Sequence, residues 1–210
     1  MTTTLRPAAV LFDVDGVLID SGACHARVWE AWARLRGLDP EYVGRVTQGR
    51  RRSDTLRIVA PGLDSVRENR VLDRLMAAEE AAMRPYPDAA GVLGGLTVPW
   101  AVVTSSRREA TVTRMGRLGL PVPQVRVCAE DVRHGKPAPD GSLAAARRLS
   151  VDPRRCTVVE DSPAGIRAAH TAGCAVHAVT TTHPAHALTE ADACFPTLRQ
   201  AVRAIGDTSR

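Results

Sequence analysis

The stretch Ala8-Ala9-Val10-Leu11-Phe12-Asp13-Val14-Asp15-Gly16-Val17 decides how this chain is read. Its first half is a short apolar run, the pattern of a strand buried on both faces. Its second half leaves that strand with two carboxylates one residue apart. Gly16 then permits a tight turn. On an extended segment, residues i and i+2 point the same way. Two like charges so close are costly unless a cation neutralises them or one is protonated. A hard cation such as Mg²⁺ suits an oxygen pair of this kind.

Outward from this stretch, further apolar runs also end in polar groups. Residues 98–103 end at Thr104-Ser105-Ser106, and 125–128 at Ala129-Glu130-Asp131. Residues 156–159 end at Glu160-Asp161, and 174–179 at Thr180-Thr181-Thr182. Helical patterns lie between them, over 88–96, 107–118, 140–149 and 163–172. A short run at 193–195 precedes a helix over 197–205. This alternation predicts an α/β fold, a parallel sheet with helices on both faces. Ligands of such sheets sit beyond the carboxyl ends of the strands. Asp13, Thr104, Glu160 and Asp161 would converge there, with Asp161 completing the cation site and Lys136 facing an anionic substrate group. The alternative for each polar end is that it caps the helix that follows.

Residues 18–83 break the rhythm. They hold no good strand, and helical spacing covers 23–35, 53–59 and 63–83. The expectation is a core of residues 1–17 and 84–210 with an all-helical subdomain inserted at 18–83. Pro85-Tyr86-Pro87 marks the return, because proline disfavours helix in the residue before it.

Composition removes several classes. A chain of 210 residues with 44% hydrophobic and 24% charged residues is not disordered as a whole. Its apolar runs are too short to span a membrane. Residues 1–7 lack the apolar stretch of a signal peptide. Five cysteines with no CxxC spacing fit reduced thiols, hence a cytoplasmic protein. The net charge of +5 comes with only 3% aromatics. Residues 17–84 balance 12 Arg against 10 Asp plus Glu, so no basic tail suggests nucleic acid. No long apolar stripe demands a partner, and a monomer is expected. Of 28 basic residues a single one, Lys136, is lysine. A compact point charge there is not freely exchanged for arginine.

Four segments together resemble the haloacid dehalogenase superfamily, and within it the small sugar-phosphate phosphatases and β-phosphoglucomutases with a helical cap. They are Asp13-Val14-Asp15-Gly16-Val17-Leu18-Ile19-Asp20-Ser21, Val102-Val103-Thr104-Ser105-Ser106, Gly135-Lys136-Pro137-Ala138-Pro139-Asp140, and Val159-Glu160-Asp161-Ser162-Pro163-Ala164-Gly165-Ile166. The resemblance implies that the sheet is Rossmann-like and that the protein is a Mg²⁺-dependent phosphatase working through an aspartyl-phosphate. Asp13 would be the nucleophile, and Asp15 the acid and then the base. Lys136 would neutralise charge, while Thr104 and Ser105 would bind the phosphoryl group. Asp13, the Asp15 carbonyl and Asp161 would ligate the metal, with Glu160 beside them.

The cap would choose the substrate, a small phosphorylated metabolite. Gln48-Gly49-Arg50-Arg51-Arg52-Ser53-Asp54-Thr55-Leu56 resembles the cap loop of glycerol-phosphate and 2-deoxyglucose-phosphate phosphatases, which places Gly49 at the site and Arg51 towards the substrate. The alternative reading is a β-phosphoglucomutase. His25 falls where the mutases carry a hinge histidine, and Arg52 where they carry a phosphate-gripping arginine. Against that reading, the cap has no lysine. A phosphoglycolate-type phosphatase is the third possibility. Gly141-Ser142 and His134 depart from the family pattern, which predicts a thinner wall behind Lys136.

Overall fold

The computed structural model describes residues 6–206. The outer ends of the expected core, 1–5 and 207–210, lie outside the described residues, as does most of the segment expected to lack a signal peptide.

The first strand, β1 (Ala9–Phe12), is fully buried, so both of its faces need cover. Val10 and Phe12 join one apolar cluster, while Ala9 and Leu11 join another on the opposite face. This is the two-sided burial of a parallel strand. After a turn at Asp15-Gly16, β2 (Ile19–Asp20) leads into four helices: α1 (Gly22–Leu35), α2 (Pro40–Thr47), α3 (Arg52–Val59) and α4 (Ser65–Glu79). A short 3-10 turn then reaches β3 (Arg84–Pro85).

The rest of the chain alternates as expected. It runs α5 (Ala89–Gly94), β4 (Trp100–Val103), α6 (Arg108–Arg117), β5 (Arg126–Val127), α7 (Asp140–Arg148), β6 (Cys156–Glu160), α8 (Pro163–Thr171), β7 (Ala175–Val179), β8 (Ala193–Phe195) and α9 (Leu198–Ile205). Six strands form one sheet in the order β5-β4-β1-β6-β7-β8, with every pair parallel. α7 and α8 cover one face through Ala145, Ile166 and Ala169. α5, α6 and α9 cover the other through Val92, Met115 and Val202. The chain runs from β1 outward to β5, then returns beside β1 with β6. The carboxyl ends of β1, β4 and β6 therefore flank the reversal point, where open parallel sheets bind ligands.

Two features of residues 18–83 differ from the sequence reading. Ile19 and Asp20 pair antiparallel with Pro85 and Arg84, so the insertion begins on a two-stranded ribbon rather than without strand. Two residues are too few to show a period of two, and the partner lies 64 positions on. The helix α2 is also absent from that reading. Its start is nevertheless written locally: Pro40 occupies the first turn, and the Asp39 carboxylate accepts from the Glu41 N–H.

Inside the insertion, Trp32 is fully buried and meets Trp29 edge to face, with ring centroids 5.4 Å apart. The Trp32 Nε1–H donates to Glu68 Oε2 at 2.7 Å. Arg36 clamps the same carboxylate through Nε (2.8 Å) and Nη2 (3.1 Å). Every charge that this corner buries thus has a partner.

Candidate active site

Asp13 follows β1 directly and is only 7% exposed. Lys136, on the loop between β5 and α7, donates to Asp13 Oδ1 at 2.8 Å. It also donates to both oxygens of Glu160, at 3.3 and 3.2 Å, from the end of β6. Ser162 Oγ donates to Glu160 Oε1 at 2.5 Å while accepting the Gly165 N–H, so one hydroxyl serves the carboxylate and the cap of α8. Asp161 accepts from Thr182 Oγ1. Gly16 lies against it with φ +88, and a Cβ there would come within 2.1 Å of Asp161 Oδ2. Only glycine fits that turn beside the acid.

Ligand oxygens of Asp13, Glu160 and Asp161 all lie within 4.8 Å of one another, buried. Burial raises Asp13 to about 7 against the pull of Lys136, and the charges of Glu160 and Asp15 add to the rise. Burial and the nearby Asp13 charge raise Asp161 to about 7 as well. Glu160 is raised, first by burial. Lys136 is held above the usual lysine range. Burial opposes this but is outweighed by Asp13 and Glu160. One lysine does not balance three carboxylates, and the donor set is that of a hard divalent cation.

Asp15 behaves differently. Ser21 Oγ donates to its Oδ1 and Ser106 Oγ to its Oδ2, each at 2.7 Å. His25 Nε2 stands 3.3 Å from Oδ1. Burial would raise this carboxyl, but His25 above all, then Arg114 and Ser21, hold it well below the usual carboxylate range. Thr104 is buried, and its Oγ1 accepts the Ser106 N–H at 3.1 Å.

The insertion covers this edge and leaves a cavity of about 1360 Å³ between them. Ser105 Oγ donates to the Gly49 carbonyl at 2.8 Å, so that hydroxyl joins the two parts. His183 Nε2 meets Gln48 Oε1 at 2.8 Å. Arg52 Nη1 donates to Asp73 Oδ1 at 2.6 Å, and Arg107 approaches the same oxygen from the core. Arg114 Nε donates to Glu80 Oε1 at 2.9 Å.

All the candidate catalytic, binding and metal residues border this cavity, except Glu160, which is buried. Arg51 lines it too, yet its guanidinium is bonded to Asp54 and to backbone carbonyls. The reading that turns it towards the substrate does not match that geometry. Ser21, Ser106, Thr182, Asp73 and Arg114 have no role in the sequence reading. The first two stand inside the quoted motifs and are open to recognition there. Thr182 belongs to the polar end of the 174–179 run, while Asp73 and Arg114 carry no local signal. Gly141 packs close on Val103, where a Cβ would come to 2.8 Å, and a small hollow of about 20 Å³ lined by Lys136, Gly141 and Ser142 remains at the wall expected to be thin. His134 bonds Asp140 Oδ1 through both Nδ1 and its backbone N–H, each at 3.1 Å.

A doubly wound parallel sheet with acids, a lysine and hydroxyls gathered at its carboxyl edge defines an α/β enzyme that works at that edge. The family model for haloacid dehalogenase-like hydrolases matches residues 7–173, and the chain belongs to that family. It is 38% identical to hexitol phosphatase A of Escherichia coli (strain K12), over 93% of this chain and 94% of that protein. A hydrolase from Pseudomonas syringae superposes with a TM-score of 0.84 at 18% identity, covering 95% of this chain and 98% of that one. A β-phosphoglucomutase from Clostridium difficile superposes at 0.80 with 20% identity, covering 92% of each chain. At those identities the two structures speak for the fold alone.

Proposed function

We propose that the protein is a Mg²⁺-dependent phosphatase of small sugar or polyol phosphates, acting through an aspartyl-phosphate on Asp13. The observation that carries this reading is the pairing of two unlike aspartates. Asp13 is bound to Lys136 in a crowded acidic cluster, while Asp15 is held by Ser21, Ser106 and His25 at the mouth of the cavity.

An Asp13 oxygen attacks phosphorus as the bond to the leaving oxygen breaks. Asp15 gives its proton to that oxygen. It then takes a proton from the water that hydrolyses the acyl-phosphate, which frees Asp13 and inorganic phosphate. Asp15 is ionised before substrate arrives. An anionic phosphoryl group beside it raises its proton affinity, so the acid form belongs to the complex. Lys136 neutralises charge on Asp13 and on the phosphoryl oxygens, and Thr104 and Ser105 line the phosphoryl position. Asp13, Asp161 and the Asp15 carbonyl would hold Mg²⁺, with Glu160 positioning Lys136 beside it. When bound, the cation neutralises charge on the transferring group.

Residues 18–83 act as a cap over the leaving group. The alternating guanidinium and carboxylate groups of Arg52, Asp73 and Arg107 suit hydroxyls, which both donate and accept. The similarity to a hexitol phosphatase supports a polyol or hexose phosphate. No helix among the described residues is long and apolar enough to cross a membrane, and we place the enzyme in the cytoplasm as a monomer.

The His25 contact to Asp15 favours a second reading, the β-phosphoglucomutase. The test is phosphate release with Mg²⁺ across hexose and hexitol 6-phosphates, 2-deoxyglucose 6-phosphate, glycerol phosphate, phosphoglycolate and β-glucose 1-phosphate. Release from one sugar class, abolished by EDTA, is the expected result. Conversion of β-glucose 1-phosphate to the 6-phosphate, with little release from anything, identifies the mutase.

A further inference from the structure

Arg51 occupies the N-cap position of α3 and reaches across the gap to the core. Its guanidinium has five N–H donors, and all five directions are used. Nε and Nη2 grip Asp54 at 2.7 and 3.1 Å. Nη1 donates to the carbonyls of Val132 (3.0 Å) and Ala129 (3.4 Å). Nη2 also donates to the carbonyl of Arg133 at 3.2 Å. The Arg51 side chain is 12% exposed, so solvent competes little for these bonds. The three carbonyls belong to the loop that carries Lys136.

Gly135, the residue before Lys136, lies directly beneath the pair. A Cβ there would stand 2.5 Å from Arg51 Nε and 2.7 Å from Asp54 Oδ2. The contact is thus shaped from both sides. Arginine at the start of a helix opposes the helix dipole. Asp54 in the same first turn offsets that cost and fixes the plane of the guanidinium.

We propose that Arg51, oriented by Asp54, is a positioning residue: a latch that couples seating of the helical cap to the placement of Lys136 against Asp13. The proposal rests on the phosphatase reading only for its kinetic consequence. With the latch formed, the loop over residues 129–135 is tied at three carbonyls and the Lys136 ammonium is delivered to Asp13. With α3 withdrawn, those carbonyls lose their donors and the loop is free to shift. The site therefore acquires its lysine geometry only under a closed cap. Lysine cannot replace Arg51, because one ammonium cannot grip Asp54 from two sides and reach three carbonyls.

The test compares Arg51→Ala, Arg51→Lys and Gly135→Ala with the parent enzyme. Arg51→Ala is expected to lower kcat about 10- to 100-fold for a sugar phosphate and for para-nitrophenyl phosphate alike, with KM changed less than about threefold. Amide hydrogen exchange over residues 129–136 should rise without substrate, while exchange in β1 and β6 stays unchanged. Millimolar ethylguanidinium should restore part of the rate to Arg51→Ala. Arg51→Lys should stay as slow as Arg51→Ala. Gly135→Ala should slow the parent enzyme and cost less when added to Arg51→Ala, because the Arg51 contact is then gone and Asp54, freed of its partner, can turn away.

A rise in KM confined to sugar phosphates, with exchange of the loop unchanged, overturns the latch and returns Arg51 to substrate contact. Additive effects of Arg51→Ala and Gly135→Ala overturn it as well. If the parent enzyme hydrolyses neither compound, the phosphatase reading falls, and the exchange measurement still decides the latch.

Discussion

The sheet edge and the helical insertion bury negative charge in opposite ways. At the edge, Asp13, Glu160 and Asp161 share a single ammonium, and burial pushes Asp13 and Asp161 up to about 7. In the insertion, the lone carboxylate of Glu68 meets an indole N–H and a forked guanidinium. Burial there is outweighed, first by the hydrogen bonds from Arg36 and Trp32, and Glu68 is held below its usual range. The fully partnered Glu68, inside the insertion and away from the sheet edge, is architecture. A cluster with more carboxylates than cations is a site waiting for charge from outside. The direction of the shift sets the cluster apart from Glu68, whereas Asp15 at the same edge is partnered and shifted down as Glu68 is.

The strongest way to break the comparison is Asp13→Asn. It removes the proposed nucleophile and relieves the crowding, so phosphate release should fall roughly 10⁴-fold or more, while the thermal midpoint holds or rises. Activity near that of the parent protein would remove Asp13 from the chemistry. Stripping the divalent cation with EDTA should cost at least about a hundredfold in rate and lower the thermal midpoint, and added Mg²⁺ should reverse both effects. A midpoint indifferent to the cation would mean that the acid cluster does not bind it.

Breaking the other pole should cost stability instead. Glu68→Leu leaves Trp32 Nε1–H and Arg36 without their acceptor, and a urea titration should show a loss of about 3 kcal/mol. The folded-state pKa of Glu68 is depressed, so its contribution is complete above the unfolded value of roughly 4.3. That contribution is lost as pH falls through the folded value. The gap between the parent and Glu68→Leu midpoints should therefore be constant from pH 7 to 5 and narrow below about pH 4. A gap that widens on acidification contradicts the assignment.

Asp73→Ala tests the boundary between the two regions, because Asp73 holds Arg52 of the helical insertion and Arg107 beyond β4 together. It should raise KM for sugar phosphates about three- to tenfold and leave para-nitrophenyl phosphate nearly unchanged. Equal effects on both compounds would place the three residues outside leaving-group recognition.

Much of this is legible in the amino-acid sequence. The buried strands read as uninterrupted apolar runs, and β1, β4, β6, β7 and β8 fall within about two residues of where those runs lie. The two aspartates and the strand-end hydroxyls can be found for a related reason: parallel strands deliver their carboxyl ends to one edge, whatever the loops do, while Lys136 stands out as the single lysine. The short ribbon of β2 and β3 leaves no trace, because its pairing spans the whole insertion. Ser106 and Thr182 stand at strand ends that the pattern marks, but their partners, Asp15 and Asp161, lie across gaps between distant segments and are not written in it.

Arg51 marks the limit most clearly. Its sequence context allows a substrate contact, a solvated helix start or a contact to the core, because a long side chain reaches any of them from the same backbone position. The sequence by itself determined the sheet, its reactive edge and the chemistry that the edge supports, all of which follow from local pattern and strand direction. Only the tertiary structure decided where the charges end. That depends on which carbonyls and carboxylates the folded chain brings within about 3 Å of each guanidinium, a distance that no spacing along the chain encodes.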